Sequence, residues 1–360
     1  MITALQTTFR AVTLVAAFAA SPHTADAEGP AAVVLMYHRF GEDRIPSTNI
    51  RLDQVEAHIR HLTESGFAVL PLADVVAAFE TGNPLPPKAL AITIDDAYTS
   101  VFTEAWPRFK RAGFPFTVFV ATAAVDRRET GIMTWDQLRT LAADGVTIGG
   151  HGHAHPHLPA LSAAGVAADL AEMNKRFVAE LGARPTLFAY PYGEAADSDK
   201  AAVKAAGYIA AFSQNSGPAY AEADRYYLPR FALNETYGAL ERFKMVVATR
   251  PLRAVRLTPS SPVLATNPPI LSFSVVAPPD LHRLSCFGPN GLALPVVVAG
   301  TDITVTPTVP FPAGRARVNC TVRAAGAWFW WGHEMLSGGI SEGVRVHPRH
   351  LESPGRSPGR

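Results

Sequence analysis

The chain has 360 residues, 48% of them apolar and 18% charged, with a formal net charge of +1. That length gives one large or two medium domains an ample core, and the apolar content excludes wholesale disorder. The near-zero charge argues against a nucleic-acid binder that works by bulk electrostatics. The apolar runs are too short to predict a transmembrane span, and two cysteines exclude a zinc finger or a disulfide scaffold.

At the N-terminus, Arg10 precedes the apolar run Ala11–Ala20, and Ala25-Asp26-Ala27 supplies a small-x-small cleavage pattern. Residues 1–27 read as a secretory signal peptide, with a buried helix as the alternative, and the mature chain is expected to start near Glu28. Export to the periplasm or the extracellular space would put Cys286 and Cys320 in an oxidising compartment, where a pair across the second domain is expected.

Residues 28–250 alternate strand and helix patterns. Strands are predicted at Ala32–Tyr37, Ala89–Ile94, Phe116–Ala121, Val146–Gly149, Thr186–Tyr190 and Ile209–Phe212. Helices are predicted at Leu52–Ser65, Ala73–Phe79, Val101–Arg111, Trp135–Ala143, Ala164–Leu181, Ser198–Ala206 and Tyr237–Ala248. Gly66, Gly113, Gly145, Gly182 and Gly207 follow helical segments as C-caps. Repeated βα units mean a parallel sheet, doubly wound or closed as a barrel, with functional residues at the C-terminal ends of its strands.

Composition changes near Pro251. Lysine is absent after Lys244, and from 251 onward there are ten arginines against five acids. Short apolar runs punctuated by Pro and Gly follow at Ile270–Val276, Leu292–Val298, Ile303–Thr306, Ala316–Val322, Trp328–Trp331 and Val344–His347. They predict a small all-β, immunoglobulin-like sandwich over 258–348 and a disordered tail over 349–360. Trp328, Trp330 and Trp331 offer either stacking surface for a polysaccharide or core packing. The arginine excess suits an anionic polymer or envelope surface.

Three strand ends carry groups suited to chemistry. Asp95 and Asp96 close the strand in Thr93-Ile94-Asp95-Asp96; one Asp would suffice as a helix cap, whereas a pair allows one to bind a metal and the other to handle protons. The stretch 150–157 (GHGHAHPH) places four of the chain's twelve histidines at alternate positions, a supply of metal ligands or a polar loop. Pro191-Tyr192-Gly193 shapes a tight loop at a third strand end. Lesser candidates are Leu35-Met36-Tyr37-His38 and Leu228-Pro229-Arg230. Trp106 and Trp135 read as helix packing.

Asp-Asp, then His-x-x-x-His-Pro, then Pro-Tyr-Gly, each ending a strand, resembles the polysaccharide deacetylases of carbohydrate esterase family 4 over about residues 32–245. The resemblance implies a distorted (β/α) barrel of about seven strands and metal-dependent removal of acetyl groups from N-acetylated sugars. Asp95 would be the base. Asp96, His151 and His155 would hold the metal, zinc by default, with His153 and His157 outside the ligand set. The Tyr192 backbone N–H would help hold the oxyanion. Such a set leaves positions open for water and substrate, and an amide leaving group also requires a general acid.

The family's late Leu-x-x-His motif, which supplies that acid, is missing between Arg230 and Pro251. Leu35–His38 has its spacing at the front of the domain, an arrangement that looks like exported poly-N-acetylglucosamine deacetylases with a circularly permuted barrel. His38 would then be the acid, beside the last strand. Ala189 stands where the family carries an Arg, and Gly152 where it carries Ser or Thr. Arg230 could supply the missing guanidinium and orient Asp95. The expected partner is an acetylated polysaccharide or oligosaccharide, with no nucleic acid. Competing readings are a non-catalytic carbohydrate-binding protein on the same fold and an O-acetyl esterase.

Overall fold

The structure, a computed structural model, describes residues 29–42 and 45–338. The signal-peptide reading, the strand predicted at Val344–His347 and the tail lie outside the described residues. Among those described, no helix is long and apolar enough to cross a membrane.

Seven strands build the first unit: β1 (Ala31–Tyr37), β2 (Ala89–Asp95), β3 (Phe116–Val120), β4 (Thr147–Gly150), β5 (Leu187–Ala189), β6 (Ala210–Phe212) and β7 (Phe231–Ala232). They follow one another in parallel, Tyr37 opposite Ile94, Asp95 opposite Phe119, Val120 opposite Gly150, Gly150 opposite Phe188 and Ala189 opposite Phe212. Every residue of β2 is buried, as expected of a parallel strand covered on both faces. The circle closes through the segment before and within β7. Leu228 bridges Phe212 of β6, and Phe231 and Ala232 pair with Leu35 and Met36 of β1. The fold is therefore a distorted (β/α) barrel. Ala219–Tyr220 adds an antiparallel edge beside the start of β1.

Eight α-helices surround it: α1 (Leu52–Glu64), α2 (Leu72–Thr81), α3 (Trp106–Ala112), α4 (Thr122–Asp126), α5 (Trp135–Ala143), α6 (Ala163–Leu181), α7 (Asp197–Ala205) and α8 (Leu240–Val247). Their local codes are readable. In α1, Gln54, Val55, His58 and Leu62 are buried at the three-to-four-residue spacing of one helix face. Thr134 caps α5 and exchanges hydrogen bonds with Gln137. Gly113 and Gly182 end α3 and α6 in the left-handed conformation, which costs glycine no Cβ clash. The stretch predicted as one helix from Val101 starts with a π-helical turn at Val101–Ala105 before α3. Helix α4 was not predicted, because five residues are too few to show a helical period.

The second unit packs two sheets around its own core, including Phe273, Ile303, Val318 and Trp331. One sheet runs β8 (Ala254–Thr258), β9 (Leu271–Val275), β13 (Asp302–Val305) and β12 (Val296–Ala299). The other runs Arg250–Pro251, β15 (Ala327–Ser337), β14 (Gly314–Ala324), β10 (Ser285–Phe287) and β11 (Ala293–Leu294). The run predicted as one strand over Leu292–Val298 is split at Pro295, which has no N–H to give a ladder.

Cys286 and Cys320 form a disulfide. It joins directly paired residues of neighbouring strands in one sheet rather than crossing the sandwich as expected. The reason is register: Cys286 lies opposite Cys320, so both side chains stand on the same face at one rung.

The three clustered tryptophans divide. Trp330 packs edge-on against Phe231 of the barrel, and Trp331 lies tilted against Phe273 and parallel to His333. Trp328 alone keeps an exposed ring, at 38%.

Candidate active site

The three strand-end motifs converge at the C-terminal mouth of the barrel. Asp95 is the last residue of β2 and fully buried. Arg230, just before β7, is also fully buried and grips it with a two-pronged contact, Nη1 to Oδ1 at 2.7 Å and Nη2 to Oδ2 at 2.8 Å. The rest of the guanidinium is occupied as well. Nε donates to the Ser213 carbonyl at 2.9 Å and Nη1 to Thr93 Oγ1 at 3.1 Å, while Thr93 donates in turn to the Leu35 carbonyl. The fork matches the carboxylate plane, so Asp95 has one orientation. Burial alone pushes the Asp95 carboxyl up. The charges of Arg230 and His151, the Arg230 hydrogen bonds and His38 outweigh it, and the net direction is down. Asp95 is thus held ionised.

His38 follows β1, and its Nε2 lies 4.0 Å from Asp95 Oδ2. Barrel closure places it there, since β1 has β2 on one side and β7 on the other. Burial lowers its pKa, while Asp96 and then Asp95 pull it back up, leaving it below the usual histidine range.

Asp96, His151 and His155 offer ligand atoms that all lie within 4.8 Å of one another. Asp96 Oδ1 is 3.4 Å from His151 Nε2 and 3.2 Å from His155 Nε2. His151 Nδ1 is 2.7 Å from the Ala189 carbonyl. That acceptor fixes the proton on Nδ1 and turns the Nε2 lone pair toward Asp96. Burial pushes Asp96 up, but the adjoining His151 and His155 side chains, with the charges of His155 and His38, hold it well below the usual carboxylate range. One carboxylate and two imidazoles facing a common point, with one imidazole oriented from behind, fit a divalent cation.

The other two histidines turn away. His153 Nδ1 pairs with Thr122 Oγ1 at 2.8 Å, and Asp169 of α6 accepts from the backbone N–H groups of His153 and Ala154. His157 Nδ1 meets Glu194 Oε2 at 2.6 Å, and its ring stacks on Tyr192 at 4.0 Å. Tyr192 stands edge-on to His155 at 4.6 Å.

Both departures from the family pattern have a local explanation. Gly152 has φ +76, and a Cβ there would come within 3.0 Å of Asp169 Oδ2, so the turn that delivers His151 and His155 favours glycine. Ala189 is buried in one cluster with Phe119, Phe212 and Leu187, while Arg230 supplies a guanidinium to Asp95. Thr93, Ser213, Asp169 and Glu194 were not singled out from the sequence. Thr93 lies inside the Thr-Ile-Asp-Asp motif and carried a positional signal; the others act from distant segments with none.

Comparison with known proteins agrees with this geometry. Residues 82–211 match the polysaccharide deacetylase family model. A Bacillus subtilis (strain 168) protein named for polysaccharide deacetylases, YxkH, is 25% identical over 197 residues, 55% of this chain and 69% of that protein. The poly-beta-1,6-N-acetyl-D-glucosamine N-deacetylase of Escherichia coli (strain K12) is 24% identical over 214 residues; the match covers 48% of this chain and 32% of that enzyme. Among solved structures, the Streptococcus pyogenes deacetylase PplD superposes with a TM-score of 0.57 at 19% identity, over 61% of this chain and 99% of its own. IcaB from Ammonifex degensii gives 0.52 at 22% identity, over 60% and 97%. The structural likenesses speak to the fold, and the family match to the segment it covers: residues 82–211 carry a polysaccharide deacetylase domain.

Proposed function

We propose that the protein hydrolyses N-acetyl groups of an acetylated amino-sugar polysaccharide or oligosaccharide, using a divalent metal, zinc by default. The observation that carries this reading is the placement of Asp96, His151 and His155 beside a buried, ionised Asp95 locked by Arg230, with His38 4.0 Å from Asp95. A cation held by those three side chains supplies Lewis acidity toward water and the acetyl carbonyl.

The chain's own residues account for the proton traffic. Asp95 accepts a proton from the attacking water, and Arg230 keeps its lone pairs aimed. His38 delivers a proton to the departing amine, which is too basic to leave as an anion. The Tyr192 backbone N–H donates to the oxygen that gains charge as water adds. The division into a catalytic unit at 28–250, a β-sandwich at 258–348 and an exported, periplasmic or extracellular location belongs to the same proposal. The Cys286–Cys320 disulfide suits an oxidising compartment.

The experiment is acetate release from a panel of N-acetylated glycans, with O-acetylated xylan in parallel and metal measured in the purified protein. Release from an N-acetylated member is expected; release from the ester alone, or none, overturns the reading. In the same assay His38→Ala should keep its metal and lose about 10²–10⁴-fold on the amide. It should lose far less on an activated aryl acetate, whose leaving group needs no proton. Equal losses on both substrates would remove His38 from the acid role.

A further inference from the structure

The C-terminal unit reaches into the mouth of the barrel. Arg315, near the start of β14, donates from Nη1 to the Tyr192 carbonyl oxygen at 2.6 Å. Its Nε lies 3.5 Å from Glu194 Oε1. The other oxygen of Glu194 meets His157 Nδ1, and His157 stacks on the Tyr192 ring with only 7° between planes. One guanidinium therefore constrains Tyr192 twice: directly at its carbonyl, and through Glu194 and His157 at its ring. Glu194, in the middle of this path, is 4% exposed, while Arg315 and His157 are partly open to solvent.

Tyr192 requires such restraint. Its backbone sits at φ 59, a left-handed conformation that a bulky side chain adopts only when its surroundings over-determine it. Gly193 follows at φ +80, where a Cβ would strike the backbone nitrogen of Gln214 at 2.6 Å. The turn is thus shaped by contacts across the barrel mouth as well as by its own sequence.

We propose that Arg315 is a positioning residue for the Pro191-Tyr192-Gly193 turn, which makes the C-terminal unit a working part of the active site rather than an appended module. This rests on the reading that the Tyr192 N–H faces the acetyl oxygen. Holding the carbonyl fixes the peptide after Tyr192, and holding the ring fixes the Cα to which both belong. The N–H direction follows. A guanidinium holds Nε and Nη1 apart in one rigid plane, each toward its own partner, which lysine's single ammonium on a flexible stem does not reproduce.

The test uses the full chain as wild type, Arg315→Ala, Arg315→Lys and, as a control on the same strand, the exposed Arg323→Ala. Two readouts are taken: hydrogen exchange of the amides in 190–195, and kcat and KM for deacetylation with metal content recorded. Arg315→Ala should speed exchange in that segment about 10-fold or more. It should lower kcat by about 10–100-fold, less than outright loss of an oxyanion donor, with KM and metal unchanged. Arg315→Lys should recover little, added guanidinium should partly rescue Arg315→Ala, and Arg323→Ala should match wild type. Unchanged exchange in Arg315→Ala overturns the proposal whatever the activity. So does unchanged kcat beside an active wild type. A wild-type chain that releases no acetate sinks the functional reading alone, and exchange still decides whether Arg315 holds the turn.

Discussion

Four histidines within seven residues present a choice that only their partners resolve. His151 and His155 point their Nε2 atoms at Asp96, whereas His153 is engaged by Thr122 and His157 by Glu194. His155→Ala should therefore purify with less than a tenth of the metal of wild type, and His153→Ala with its full share, measured by elemental analysis after dialysis against trace metal. The reverse pattern would show that the wrong pair had been chosen. The reason the pair was visible in the sequence is adjacency: the histidines, the aspartates and the Pro-Tyr-Gly turn are each local strings. The contacts that set their orientation span 135 residues from Asp95 to Arg230 and 123 from Tyr192 to Arg315. No local pattern carries those. Leu228-Pro229-Arg230 is a weak local candidate whose role is suggested only by the guanidinium missing at Ala189, and Arg315 has no such prompt.

Among the elements, left-handed backbone occurs at the strand ends of the site as well as in turns elsewhere. Asp96 and Ala97 leave β2 at φ 75 and φ 55, His155 sits at φ 54 and Tyr192 at φ 59. None of these is glycine; Asp and His enter the left-handed region more readily than most residues, whereas Ala97 and Tyr192 carry no propensity signal for it. Where propensity and packing agree, as in α5 with its Thr134 cap and α6 ending at Gly182, the boundaries are legible to within a residue or two.

Helix α1 adds a titratable group to its buried face. His58 is 1% exposed, stacked on Phe243 at 3.7 Å, and hydrogen-bonded to Tyr37 Oη and the Gly238 carbonyl. Burial lowers its pKa to about 4, against the pull of the Gly238 carbonyl. Because the folded value lies below the unfolded one of about 6.5, the neutral ring is favoured on folding. Its contribution is complete above about pH 6.5 and is lost as pH falls toward 4, by up to about 3 kcal/mol. His333, lowered to about 4 by burial in the second unit, adds a similar loss over the same range. Denaturant titrations from pH 7.5 to 4 should show this fall, and His58→Gln should flatten part of it. An identical slope in the variant would clear His58 of the effect.

At the scale of the whole molecule, the barrel and the C-terminal unit share walls. Arg250–Pro251 pairs with β15, Tyr220 Oη donates to the Ala254 carbonyl, and Trp330 packs on Phe231. The composition shift near Pro251 marks a change of segment along the chain. It could not signal the joint between the barrel and the C-terminal unit, which is made by residues scattered through both. One tight backbone contact lies at Gly332 of β15. Its carbonyl accepts from Asn215 Nδ2 at 2.8 Å, and a Cβ placed on it would collide with the Ser216 carbonyl oxygen. That loop also serves the site, since the Ser213 and Asn215 carbonyls both accept from Arg230. A single methyl at 332 must therefore push the sheet away from the loop or drag the loop off Arg230. Gly332→Ala should destabilise the protein by about 1–3 kcal/mol, the usual range for overpacking. It should also lower kcat, because the fork on Asp95 loosens with its anchors. Urea unfolding and deacetylation rates on the same preparation measure both effects. If stability falls while kcat holds, the two units touch without sharing the site. If neither changes, the joint yields more easily than its closeness implies.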